Sequence, residues 1–231
     1  MFPRCSLHVS SSESMPGVTS SRPWGILPVK RLDWAKSRLN GVLTAEQRRA
    51  LAAGLMQNAL LALLNSNALE RVVVVSADPE ALALAQEHGA EVLAETSAGG
   101  LNQALTDARS ASMGRGATSL LVLASDLPLV TPSDVRAFVG KMDTPGVALA
   151  PDRRRQGTNA LLLRPARAIE FAFGLNSFER HRLLAREAGL NARVSELPRL
   201  AFDVDLPEDL DDLRRLGWKL PEALEQATTP S

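Results

Sequence analysis

Leu120-Leu-Val-Leu-Ala-Ser-Asp126-Leu-Pro-Leu129 is an apolar run that ends on a carboxylate. Its unbroken aliphatic stretch reads as a buried strand. A carboxylate at the carboxyl end of such a strand lies at the rim of an open α/β sheet, where ligands of these folds bind. A second acidic stretch, Phe202-Asp203-Val-Asp205-Leu-Pro-Glu208, places two aspartates two residues apart. Extended backbone points both to the same side, with Cα atoms about 6 to 7 Å apart. Three carboxylates at one rim repel unless a hard cation lies between them, and oxygen ligands with open positions suit Mg²⁺ bound together with substrate phosphates.

Outward from Asp126 the chain alternates between strand-like and helix-like stretches. Ile26-Leu27 begins a short strand that runs into a basic loop, and Thr44 with Gln47 forms a capping box for a helix reaching about Ser66. Arg71 to Ser76 is β-branched and apolar, as expected of a strand covered on both faces. Pro79 suits the first position of a helix ending near His88-Gly89, and Glu91 to Glu95 reads as the next strand. A Gly99-Gly100 loop leads into a helix from about Leu101 to Ser112. Beyond Asp126, Thr131-Pro-Ser-Asp134 caps a further helix, and Gly146 to Ala150 is strand-like. The later pattern predicts strands at Asn159 to Leu163 and Ala192 to Leu197, and helices at Ala166 to Phe173, Phe178 to Ala188 and Pro207 to Leu216. This rhythm predicts an α/β fold with a mostly parallel sheet and helices on both faces.

The 231 residues and 45% hydrophobic content suit one sizeable core. The expected organisation is a disordered Ser-rich extension over 1–22, a single domain over 23–220 and a tail over 221–231. Lys plus Arg and Asp plus Glu both number 26, so no global field recruits nucleic acid or an acidic membrane surface, and anionic ligands must be held by local clusters. The single cysteine, Cys5, allows no internal disulfide and no Cys-based zinc site within one chain. With no apolar run of spanning length and no signal-peptide core, the expected location is the cytoplasm.

Phosphate handling is the second theme. Pro28-Val-Lys30-Arg31-Leu-Asp33-Trp-Ala-Lys36-Ser37-Arg38 carries four cationic side chains within nine residues after the first strand, enough to neutralise a triphosphate at the rim or simply to solvate a loop. Gly157-Thr158-Asn159 and Gly174-Leu-Asn-Ser177 form a further cluster, in which Ser177 is expected to cap the following helix and leave its amino-terminal N–H groups facing an anion. Arg153, Arg154 and Arg155 read either as a solvated loop or as a basic gate. His8 falls in the extension, and His88 and His181 fall on helices without metal-ligand partners, which favours surface or capping roles. Asp205 and Asp126 also admit a plain reading, as caps of a helix and a turn.

The ordered set Leu27-Pro-Val-Lys30, Ala35-Lys36-Ser37-Arg38-Leu39, Gly100-Leu101-Asn102, Ser125-Asp126-Leu-Pro-Leu129, Gly157-Thr158-Asn159-Ala160-Leu161, Gly174 with Ser177-Phe178, and Asp203-Val-Asp205 resembles the phospholactate guanylyltransferase family of coenzyme F420 biosynthesis over about residues 24 to 216. That resemblance implies a MobA-like, Rossmann-related nucleotidyltransferase fold. It implies a reaction coupling GTP to 2-phospho-L-lactate, phosphoenolpyruvate or 3-phospho-D-glycerate with release of pyrophosphate. By position, Asp126, Asp203 and Asp205 match metal-binding aspartates, and Thr158, Gly174 and Ser177 match acid-binding positions. Pro28, Lys30, Lys36, Gly100 and Asn102 fall on the nucleotide side, with Lys36 and Asp126 expected to be catalytic. The labile product makes handover to the downstream F420 transferase plausible. Two alternatives stay open: a nucleotidyltransferase for a sugar phosphate or molybdopterin, against which the lone Gly25 of the first loop counts, and a nucleotide-binding domain without turnover.

Overall fold

The computed structural model describes residues 22–95 and 99–218. The Ser-rich stretch before Arg22, with Cys5 and His8, and the tail over 221–231 lie outside the described residues.

Seven strands, β1 (Trp24–Val29), β2 (Val72–Ser76), β3 (Glu91–Ala94), β4 (Leu120–Leu123), β5 (Gly146–Pro151), β6 (Thr158–Arg164) and β7 (Ala192–Val194), form one sheet in the order β3-β2-β1-β4-β6-β5-β7. Helices α1 (Ala45–Leu64), α2 (Pro79–Glu87), α3 (Gly100–Gly114), α4 (Pro132–Val139), α5 (Ser177–Glu187), α6 (Pro198–Ala201) and α7 (Pro207–Arg215) connect and flank them.

The apolar strands bury both faces because their alternate residues enter two separate cores. Leu27, Val74, Leu121, Leu123 and Leu162 face α1, α2 and α4, against Met56, Leu60, Leu63, Ala85 and Phe138. Ile26, Val73, Val75, Val122, Leu161 and Leu163 face α3 and α5, against Leu105, Ala108, Phe178 and Ala185. Each fully buried Val, Leu or Ile contributes about 1.5–3 kcal/mol. Helix starts follow local chemistry. Thr44 accepts from the Gln47 N–H at 3.2 Å and donates its own N–H to Gln47 Oε1 at 2.8 Å, while Thr131 and Asp134 repeat the arrangement before α4. Asp78 accepts from the Glu80 N–H at 3.0 Å to start α2, and its other oxygen accepts the Leu32 N–H at 2.8 Å, anchoring the loop after β1.

The sheet is mostly parallel as expected, with one reversed strand, and two other expectations need correction. Strand β6 runs antiparallel to both β4 and β5, so its first residue, Thr158, lies at the rim where β4 ends. The helix expected over Ala166 to Phe173 does not form. Its N–H groups are taken from outside the segment: Ala166 donates to the Thr118 carbonyl at 2.8 Å, Ala172 to His181 Nε2 at 3.0 Å and Phe173 to Asn102 Oδ1 at 2.8 Å. The strand expected over Ala192 to Leu197 stops at Val194, because Leu197 becomes the N-cap of α6 with Pro198 behind it.

Candidate active site

Asp126 follows β4 directly, and the 203–205 segment is tied to it by the Val204 N–H, which donates to the Asp126 carbonyl at 3.3 Å. Val204 is completely buried in a third apolar cluster with Leu39, Leu51, Leu55, Phe202, Leu210 and Leu213. That cluster fixes the basic loop after β1 and the second acidic stretch against α1 and α7. Asp205 is not the cap of α7. Asp209 takes that part, accepting the Asp205 and Leu206 N–H groups at 2.8 and 2.7 Å, so the Asp205 side chain is left for the site.

Between two short 3-10 turns, Leu32–Trp34 and Ser37–Leu39, Lys36 adopts a left-handed backbone with φ of 55°. This conformation is uncommon for a residue with a side chain and marks a constrained position. It turns the ammonium inward: Nζ donates to Asp126 Oδ2 at 2.8 Å and Asp205 Oδ1 at 3.2 Å, with only 8% of the side chain exposed. Burial pulls the Lys36 pKa down, but the charges and hydrogen bonds of Asp126 and Asp205 outweigh it, and the net shift is upward. Arg38 stands 3.8 Å from the other Asp205 oxygen.

Asp203 is pushed up to about 6, first by burial and then by the charges of Asp126, Asp205 and Asp152. Asp152, a fourth carboxylate that the acidic motifs did not include, accepts the Gln156 and Gly157 N–H groups at 2.8 and 2.9 Å across the β5–β6 turn. A Cβ on Gly157 would lie 2.9 Å from Asp152 Oδ2, so any other residue there would displace that carboxylate. Among the described residues, no group of three or more His, Cys, Asp or Glu side chains is placed to hold a metal ion. In this arrangement the Lys36 ammonium neutralises Asp126 and Asp205.

The second group lies where β6 begins and α5 starts. Ser177 Oγ donates to Thr158 Oγ1 at 3.3 Å. His181, four residues along the same helix face, stands 3.0 Å from Thr158 Oγ1 through Nδ1. All three are buried. Ser177 is the first residue of α5 and not its cap: Asn176, with φ of 55°, occupies the cap position and makes no side-chain cap bond. Gly174, at φ +112°, accepts the Ser177 N–H through its carbonyl at 3.1 Å, in a turn that a side chain would strain. His181 is also not at the surface. It is completely buried, with its ring edge-on to Phe173 at 4.8 Å between centroids. His88, by contrast, is the C-cap residue of α2.

On the expected nucleotide side, Pro28 is half-buried near the end of β1 and Lys30 is exposed just beyond it. Gly100 has φ +72° at the start of α3. Asn102 is engaged at both ends by one residue, accepting the Phe173 N–H at 2.8 Å and donating to the Phe173 carbonyl at 3.0 Å. It thereby ties the α3 turn to the segment that carries Gly174. The arginine run is paired: Arg153 with Asp209 and Asp212, over the Phe202 ring, and Arg155 with Glu196, over the Phe178 ring. A groove between α1 and α2, lined by Ala53, Gly54, Gln57, Leu84 and Trp218, shares no residue with this rim.

Comparison with known proteins shows the family and the fold. A family model described as "Guanylyl transferase CofC like" matches residues 24–217. A phosphoenolpyruvate guanylyltransferase of Sphaerobacter thermophilus is 44% identical over 188 residues, covering 81% of this chain and 90% of the relative. One of the same name from Conexibacter woesei is 41% identical over 195 residues, covering 84% and 87%. Among solved structures, a nucleotidyl transferase from Methanothermobacter thermautotroptrophicus superposes with a TM-score of 0.60 at 14% identity, covering 89% of this chain and 99% of that one. The 4-diphosphocytidyl-2C-methyl-D-erythritol synthase of Anaerococcus prevotii gives 0.61 at 7% identity, covering 87% and 97%. At such identities the likeness is one of fold.

Proposed function

Because this chain belongs to the CofC-like guanylyl transferase family, we propose that it couples GTP to phosphoenolpyruvate, the acid named for its relatives, and releases pyrophosphate in the pathway to coenzyme F420. The observation that carries the reading is the Lys36 ammonium bound to both Asp126 and Asp205 at the rim.

A phosphate monoester is already a competent nucleophile near neutral pH, so no strong general base is needed. An oxygen of the acid's phosphate attacks the GTP α-phosphorus. The new P–O bond forms in line as the bond to the bridging oxygen breaks, and pyrophosphate leaves with that electron pair. What the protein must supply is alignment and charge neutralisation. Lys36 is placed to balance charge that builds on the leaving pyrophosphate, with Lys30 and the turns at Pro28 and Gly100 bounding the nucleotide. Asn102 acts one step back, holding the Gly100 turn against the acid side. Thr158 hydrogen-bonds the acid with Ser177 beside it, and the open backbone at Gly174 lets it approach closely.

By chemistry, though not by their spacing while Lys36 bridges Asp126 and Asp205, the three aspartates suit a divalent cation. Asp126, Asp203 and Asp205 are oxygen donors, and burial together with their mutual repulsion raises Asp203 to about 6, as in a site short of positive charge. These three aspartates would hold Mg²⁺, which when bound supplies neutralisation and orientation of phosphate oxygens. The anhydride product is labile, which favours handover to the next transferase and a cytoplasmic setting.

The test is pyrophosphate release by the purified protein with GTP and Mg²⁺, offering phosphoenolpyruvate, 2-phospho-L-lactate and 3-phospho-D-glycerate separately, with the downstream transferase present to draw off product. Release that depends on phosphoenolpyruvate is expected. Release with another acid alone reassigns the substrate. No release with any acid, from a protein that still binds GTP, points to a different acceptor or to a silent nucleotide-binding domain.

A further inference from the structure

Guanylyl transfer does not call for a buried imidazole, yet His181 is fully buried against the Thr158 hydroxyl, which Ser177 also meets. Its protonation state is fixed by the backbone. The Ala172 N–H donates to Nε2 at 3.0 Å, so Nε2 presents a lone pair. Burial, with the Arg180 charge adding to it, holds the imidazole down to about 4, so the ring is neutral at physiological pH and its one proton resides on Nδ1. Nδ1–H then donates to Thr158 Oγ1 at 3.0 Å.

A threonine hydroxyl has two lone pairs and one hydrogen. In this structure the oxygen accepts from His181 Nδ1 and from Ser177 Oγ, which occupies both lone pairs. The hydrogen must therefore point away from both, and no protein group among the described residues accepts it. The opposite tautomer would set an Nε2–H against the Ala172 N–H. Its bare Nδ1 would draw the Thr158 hydrogen to itself, leaving a lone pair to repel an oxyanion.

We infer that His181 is a positioning residue for the acid substrate: by occupying a lone pair of Thr158 it commits that hydroxyl to donate to an anionic oxygen of the bound acid. The inference rests on the proposed function, with Thr158 as the hydroxyl that meets the acid and Ser177 spending its own hydrogen on Thr158. Ala172, through Nε2, selects the tautomer, and the segment 165–173 thereby takes part in recognition without touching the ligand. Sequence spacing held a trace of this relation, since Ser177 and His181 lie four apart on one helix.

The experiment separates the two ring nitrogens. Asn at position 181 keeps an amide donor near the Nδ1 position, and Gln keeps an acceptor near the Nε2 position. With phosphoenolpyruvate and GTP as substrates, His181→Gln is expected to raise the acid KM about tenfold with the GTP KM unchanged, while His181→Asn stays near wild type. An unchanged acid KM in His181→Gln, or loss in His181→Asn equal to or greater than in Gln, overturns the inference, because then the ring serves only to hold Ala172. Thr158→Val is the control on the underlying reading: an unchanged acid KM there removes Thr158 from the acid site, whereas a raised one beside a normal His181→Gln sinks the His181 inference alone. Nitrogen-15 spectra of the wild-type full chain at pH 7 need no variant to fold. Protonated Nδ1 with bare Nε2 is the expected result, and the reverse overturns the inference.

Discussion

The two halves of the rim are held by different physics. At Asp126, Asp203 and Asp205 the groups are charged and partly exposed, and they are balanced by a lysine that reaches across from another loop. At Thr158, Ser177 and His181 the groups are neutral and buried, joined in one hydrogen-bond chain whose last link is a backbone N–H. The charged half gains its energy from interactions that a second cation or a triphosphate can replace, so it can rearrange when ligands arrive. The neutral half is fixed before any ligand arrives, because an unmade buried hydrogen bond costs about 1–3 kcal/mol. A transferase with one mobile, highly charged substrate and one small acid has use for both.

The sharpest way to break the contrast is Asp126→Asn. Turnover should fall about a thousandfold or more with folding retained, since the change removes a carboxylate that would hold the cation neutralising the phosphate oxygens. Steady-state pyrophosphate release together with a thermal melt decides it, and near wild-type turnover would remove Asp126 from the chemistry.

Next in size is Lys36→Met. Turnover should drop about a hundredfold, and the metal-free protein should melt lower because Asp126 and Asp205 lose their shared counterion. Added Mg²⁺ should restore the melting temperature but not turnover; recovery of both would show that the ammonium is only a placeholder for the metal.

Leu39→Ala tests whether the charged half depends on the apolar cluster beneath it. The expected cost is about 2–5 kcal/mol in denaturant unfolding, from the cavity left in a fully buried position. A cost under 1 kcal/mol would mean the basic loop is not packed as described.

The smallest effect distinguishes the halves by pH. His181 is depressed from 6.5 to about 4 in the folded state, so the unfolded chain binds its proton first and this group withdraws stability as pH falls from 6.5 towards 4. Asp203 is raised from 3.8 to about 6, so the folded chain binds its proton first and this group adds stability as pH falls from 6 towards 3.8. Asp203→Asn should therefore raise the melting temperature of metal-free protein at pH 7.5 while abolishing activity, and His181→Asn should flatten the acid side of the stability profile. If both substitutions moved the profile in the same direction, the distinction between the two halves would be lost.

Much of the fold was legible because its signals are local. Thr44 with Gln47, Thr131 with Asp134, and Pro79 after Asp78 are self-contained helix starts, and the apolar runs at β2 and β4 admit little but buried strands. Strand direction was not legible in β6, since Ala160 to Leu163 is apolar on both faces and such a run does not reveal which way it is paired. That one reversal brings Thr158 to the rim of Asp126. The 165–173 segment misled because its local pattern suits a helix while distant groups, Thr118, Asn102 and His181, claim its N–H donors. Asp126 stood out in the sequence through its place after an apolar strand, and Asp203 and Asp205 through their spacing, although no strand forms at 202–205. Asp152 and His181 did not, because what gives each its meaning is a neighbour far along the chain.

The third apolar cluster also has a bearing on the order in which the protein comes into being. It joins Leu39 and Leu51, made early, to Val204, Leu210 and Leu213, made after all seven strands. During synthesis the sheet can assemble on the growing chain while Lys36 still lacks Asp205. The Lys36–Asp205 ion pair is therefore among the last contacts to close, after every strand of the sheet has been made.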